Sequence, residues 1–89
     1  MNKLIKNKDC VSSELGNEMI ILNLNSGNYL ELNETGKFIW MCLDEFSSIE
    51  SIAKEMLRNY EVKEDDCIRS IQDFTDEAIR LGLIIYAND

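Results

Sequence analysis

The residues of this 89-residue sequence best suited to chemistry are three cysteines and a surplus of carboxylates. Cys10, Cys42 and Cys67 are odd in number, and no two lie close enough in the chain for a metal knuckle or a redox dithiol. They are expected to be free, reduced thiols buried as small hydrophobes. The sequence has no histidine, which removes the usual general base, the usual zinc ligand and the usual pH switch together. Asp65 and Asp66 are adjacent acids, but they open a helical period, where carboxylates suit the dipole of a helix start. With no nucleophile-and-base pair, no metal spacing and no phosphate loop, a small enzyme is disfavoured and no cofactor or metal is expected.

The charge points the same way. Nine Lys and Arg face seventeen Asp and Glu, a formal net charge of -8. The acids gather in the second half, around Glu61, Glu64, Asp65, Asp66, Asp73, Asp76 and Glu77. Such a surface repels nucleic acid, and Lys3, Lys6 and Lys8 are too few and too local to reverse it. It is read as a solvated acidic face, with attraction for a basic partner or peptide segment as the alternative. The apolar share of 45% and charged share of 29% are those of a folded globular protein. The longest apolar runs, Met19 to Leu22 and Phe38 to Leu43, fall far short of the ~20 residues that cross a bilayer. No apolar segment with a cleavage site follows the first lysines, so no signal peptide is indicated and a cytoplasmic location is expected.

These groups must be positioned by a small domain, expected over residues 9–86 after a flexible arm over residues 1–8. Asp9 to Leu15 alternates weakly before the Gly16-Asn17 turn and suggests a first strand. Glu18 to Leu24 is aliphatic and precedes Asn25-Ser26-Gly27, where Gly27 supplies the positive φ of a short hairpin loop. Asn28 to Leu32 then alternates cleanly, with Leu30 and Leu32 toward the core and Tyr29 and Glu31 on the opposite face. Asn33 reads as the N-cap of a helix from Glu34 to about Glu45. Ser47-Ser48-Ile49-Glu50 reads as a capping box opening a second helix, whose stripe is Ile49, Ile52, Ala53, Met56, Leu57 and Tyr60. A third helix runs from about Glu64 to Leu81 and stops at Gly82. It carries a broad apolar arc of Cys67, Ile71, Phe74, Ala78 and Leu81, with Ile68, Thr75 and Ile79 on its shoulder. Leu83 to Tyr86 is an apolar tail placed to dock back on the domain.

The stretch Leu22-Asn23-Leu24-Asn25-Ser26-Gly27-Asn28-Tyr29-Leu30-Glu31-Leu32-Asn33-Glu34-Thr35-Gly36, followed by Ile39-Trp40 and Leu43, resembles the PqqD-like family, or RiPP recognition elements. The family shows the same order: an apolar strand, a Gly-containing turn, an aromatic, Leu-Asn-x-(Thr/Ser)-Gly and a helix bearing Ile-Trp. The likeness extends over roughly residues 10 to 85. Thr75 and Ala78 depart from it, standing where larger aliphatics are usual, as does Lys63 in place of an acidic N-cap.

The resemblance implies an α+β fold of winged helix-turn-helix type, a three-stranded antiparallel sheet followed by three helices. It also implies a non-catalytic role: binding the leader segment of a ribosomally made precursor peptide and presenting it to a maturation enzyme such as a leader protease or a radical enzyme. A lasso-peptide system suits a free-standing chain best. The leader would add a strand to the sheet edge at Asn28, Tyr29, Leu30, Glu31 and Leu32. Ile68, Ile71, Phe74, Thr75 and Ala78 of the third helix would line the groove beside it, the small Thr75 and Ala78 leaving room for a bulky anchor. Leu30→Pro is then expected to abolish binding. The alternative on this architecture is a winged-helix DNA-binding regulator, which lacks the basic recognition face it needs.

Overall fold

The computed structural model describes residues 2–88. Its strands are β1 (Asn2–Lys6), β2 (Cys10–Leu15), β3 (Glu18–Asn23), β4 (Tyr29–Leu32) and β5 (Ile84–Asn88), and its helices are α1 (Glu34–Cys42), α2 (Ile49–Asn59) and α3 (Glu64–Arg80). β2, β3 and β4 form an antiparallel sheet in that order, and the three helices follow it, as the α+β expectation has it. In β3, Met19, Ile21 and Asn23 are buried while Ile20 and Leu22 are only partly covered, the period-2 signature of a sheet with one face on the core. The β2–β3 turn at Gly16 and the β3–β4 turn at Gly27 both use positive φ.

The helix boundaries follow local chemistry. Asn33 caps α1, its Oδ1 accepting from the Gly36 N–H at 2.9 Å. α1 ends at Cys42, short of Glu45, because the chain tightens into turns that carry it round to α2. The box at α2 lies one residue later than the sequence suggests. Ser48 is the N-cap, its Oγ accepting from the Ser51 N–H at 3.1 Å, and Ser51, not Glu50, reciprocates, its Oγ accepting from the Ser48 N–H at 3.4 Å. α3 begins at Lys63 without a side-chain cap, and Glu64, Asp65 and Asp66 occupy its first turn.

The flexible arm over residues 1–8 is corrected. Asn2–Lys6 pairs antiparallel with Ile84–Asn88, giving a two-stranded second sheet. Leu4 is buried at 3% exposure, and its N–H donates to the Ser47 carbonyl at 2.8 Å. Lys6 lies 4.7 Å over the Trp40 ring and pairs with Asp44 at 2.7 Å. The apolar tail does dock back, with β5 as β1's partner. One buried aliphatic in five polar-flanked residues is too weak a signal to mark a strand, and its partner lies at the other end of the sequence.

The core gathers Ile21 from the sheet, Ile39 and Trp40 from α1, Ile52 and Met56 from α2, Ile71 from α3, and Leu83 and Ile84. A knot of asparagines sets α3 against the sheet. Asn23, 5% exposed, donates from Nδ2 to the Gly82 carbonyl at 3.0 Å and accepts at Oδ1 from the Asn25 and Ser26 N–H groups. Asn7 donates to the same Gly82 carbonyl at 2.8 Å, and Asn28 to the Leu81 carbonyl at 3.3 Å. These amides satisfy carbonyls left open where α3 ends. Gly82 makes the approach possible: its φ is +75°, and a Cβ there would stand 3.0 Å from Asn23 Nδ2. Asn23→Ala breaks this tie and strands turn N–H groups, so it is expected to cost about 1–3 kcal/mol, read as a lower urea midpoint at unchanged m-value.

Candidate functional site

β4 is an edge strand: β3 covers one side, and among the described residues no strand covers the other. The hydrogen-bond phase of that edge can be read from one contact. The Asn23 N–H donates to the Asn28 carbonyl at 2.8 Å, and the register runs on through Ile21 opposite Leu30 and Met19 opposite Leu32. In an antiparallel ladder every second pair is hydrogen-bonded. Leu30 and Leu32 therefore turn their backbone groups toward β3, as the Asn28 carbonyl does while its N–H donates to Ser26 Oγ, and Tyr29 and Glu31 turn theirs outward. Two N–H donors and two carbonyl acceptors stand along the open edge.

Beside this edge runs a groove of about 410 Å³. Leu30, Glu31 and Leu32 form one wall and Asp73, Phe74 and Glu77 of α3 the other, with Asn33 and Gly36 at one end. Glu18 of β3 also borders it. Past Phe74 a second depression of about 390 Å³ continues over the start of α1 between Thr35 and Ser70. Phe74 is the half-buried apolar feature common to both hollows.

Of the five α3 residues expected in the wall, Phe74 alone lines this groove. Ile71, Thr75 and Ala78 are 0%, 1% and 0% exposed and form, with Cys67, the buried stripe of α3. They pack the domain, so the small Thr75 and Ala78 leave no opening for an anchor; Thr75 Oγ1 donates to the Gln72 carbonyl at 3.1 Å. Ile68 is partly buried, but at about 100° per residue it falls some 120° around the helix from Phe74, on the opposite shoulder. Asp73 and Glu77 line the groove outside the expected set. The same helical wheel carries the signal: Ser70 and Glu77 fall about 40° and about 60° beyond Phe74, on the polar side of its shoulder, with Asp73 further round. On β4, Tyr29 is 62% exposed and Leu32 buried, as the alternation requires.

The arrangement offers strand pairing and apolar contact. Burial pushes all three thiols above their ordinary pKa, Cys42 to about 11 with Glu55 and Glu45 adding to the effect. They are protonated at neutral pH and so weak nucleophiles. Among the described residues no group of three His, Cys, Asp or Glu is placed to hold a metal ion, and no helix is long and apolar enough to cross a membrane.

The family model described as coenzyme PQQ synthesis protein D (PqqD) matches residues 18–84. No match to a curated protein was found. Two solved structures share the fold. One, described as TbiB1 in complex with the TbiA(beta) leader peptide, is 26% identical, with a TM-score of 0.84 over 96% of this chain and 99% of that one. The other, a lasso peptide synthetase B1 complexed with the leader peptide, is 23% identical, with a TM-score of 0.80 over 92% and 96% of the two chains.

Proposed function

The chain belongs to the PqqD family, and from that membership we propose that it is a RiPP recognition element, a non-catalytic protein that binds the leader segment of a ribosomally synthesised precursor peptide by strand addition. The observation that carries the reading is the open edge of β4, with outward backbone groups at Tyr29 and Glu31, beside a groove whose apolar lining is Leu30, Leu32 and Phe74. An extended peptide satisfies those groups whatever its sequence, and alternate side chains of the peptide then point into the groove. An aliphatic or aromatic anchor against Phe74 and Leu30 contributes about 1.5–3 kcal/mol before ordering costs.

The binding site comprises Tyr29, Glu31 and the flanking Asn28, Leu30 and Leu32, with Phe74 as the anchor contact on α3. The two similar structures hold leader peptides, which favours a lasso-type precursor as the ligand; the enzyme that receives it is a maturation enzyme such as a leader protease or a radical enzyme, in the cytoplasm. The weakly nucleophilic thiols fit a protein that holds its ligand without reacting with it. DNA binding is the poorer reading, because the solvent side of α3, where a recognition face would lie, carries Asp66, Asp73 and Asp76.

The test is a fluorescence-polarisation titration with the synthetic leader of the short precursor encoded beside this protein's gene. Saturable binding at about micromolar Kd or tighter is expected, equivalent to about 8 kcal/mol. A flat titration to about a hundred times that concentration would overturn the proposal.

A further inference from the structure

Four carboxylates border the groove, Glu18 and Glu31 on the sheet side and Asp73 and Glu77 on α3, and no lysine or arginine lines it. Among the described residues Glu18, Glu31 and Asp73 have no ion-pair partner. Glu77 pairs with Arg80, one turn further along α3; the Arg80 side chain is largely exposed and that of Glu77 partly covered. The nearest basic residue of α1, Lys37, is turned to Glu14 at 2.9 Å and to the Gly16 carbonyl. The acids are spread along both walls, a distribution that suits a chain of side chains better than a point ion.

Resting on the leader-binding reading, we infer that the groove selects by charge: the strand it accepts carries lysine or arginine beside the apolar anchor that meets Phe74. The edge of β4 fixes the peptide backbone, so its groove-side residues fall at a set distance from α3. Asp73 and Glu77 are four residues apart on one helix face, neighbours about 5–6 Å apart at Cβ, a gap that one ammonium or guanidinium group spans. A cation there also supplies Asp73 with the counter-charge it lacks, and at Glu77 it joins Arg80, which already donates to both carboxylate oxygens. An acidic peptide would meet like charge on both walls. Backbone pairing supplies affinity without sequence choice, and the charged rim supplies the choice.

The experiment uses the full chain and the synthetic leader encoded beside its gene, with each leader Lys or Arg replaced by Gln or by Glu. Replacement by Gln in the groove-bound segment is expected to weaken binding about five- to tenfold, as two partly covered ion pairs would. Replacement by Glu should weaken it further, and raising NaCl from about 50 to about 500 mM should shrink the difference. On the protein side, Asp73→Lys with Glu77→Lys should lose the wild-type leader and recover the Glu-substituted one, with thermal melting confirming the fold. A leader that binds but has no basic residue in that segment, or whose Gln variants change Kd less than about twofold, overturns the charge inference and leaves the leader reading standing. A leader that does not bind at all overturns the leader reading instead.

Discussion

Glu31→Pro is expected to leave the domain folded and to weaken leader binding at least about tenfold. The Glu31 N–H points away from β3, so proline there removes a donor offered to the peptide and none used by the sheet. Edge strands tolerate proline on this side, and Leu30, the residue before it, is already extended. The ring also occupies space beside the edge where the added strand must lie. Glu31→Gln is the control, since it removes the charge and keeps the donor; the difference between the two variants isolates the backbone contribution. Leu30→Pro, the choice that sequence alone suggests, is the wrong instrument. Leu30 lies in a hydrogen-bonded pair with Ile21, so that change breaks the sheet's own ladder and is expected to lower the melting temperature before it reports on binding. Full affinity in a folded Glu31→Pro variant would sink strand addition at this edge.

Phe74→Ala is expected to reduce affinity between about tenfold and a hundredfold, the loss of about 1.5–3 kcal/mol of anchor contact, while the domain stays folded. Phe74 is half-buried, so its ring packs on the core with one face and leaves the other to the groove. Its neighbours on α3 should behave differently. Ile71→Ala empties a fully buried site and is expected to cost about 2–5 kcal/mol of stability, a large part of what a small domain has. Ala78→Leu forces extra methylenes into a buried position and costs about 1–3 kcal/mol. Paired urea melts and polarisation titrations separate the classes: Phe74→Ala shifts the titration more than the melt, Ile71→Ala and Ala78→Leu the reverse. If Ala78→Leu left the melt unchanged and altered which leader variants bind, the groove would lie over Ala78 and not at Phe74.

These expectations divide along the line between what local pattern records and what packing adds. The strand from Glu18, the alternation of Tyr29 to Leu32, the cap at Asn33 and the stop at Gly82 are each written within a few residues, because strand period, cap and turn chemistry act at short range. The α3 wall is not legible at that range for a related reason. An apolar arc states that residues share a face, and Ile71, Thr75 and Ala78 share one that the core covers completely. The polar-side neighbours of Phe74, Asp73 and Glu77, look like ordinary solvated acids until the sheet edge is set opposite them.

By itself the sequence determined the class of molecule: a small acidic α+β domain, without histidine, whose order of strand, glycine turn, Leu-Asn-x-Thr-Gly and Ile-Trp helix is that of the PqqD family. Tertiary structure alone decided three things. It drew the two ends of the chain into the β1–β5 sheet, turned Tyr29 and Glu31 rather than Leu30 toward the open edge, and placed the groove wall on the Phe74 shoulder of α3. All three depend on partners distant in sequence. Period fixes which residues lie side by side on an element, but the direction of a backbone N–H and the covering of a helix face are set by the neighbour that packs there, here tied in place by Asn23 on the Gly82 carbonyl.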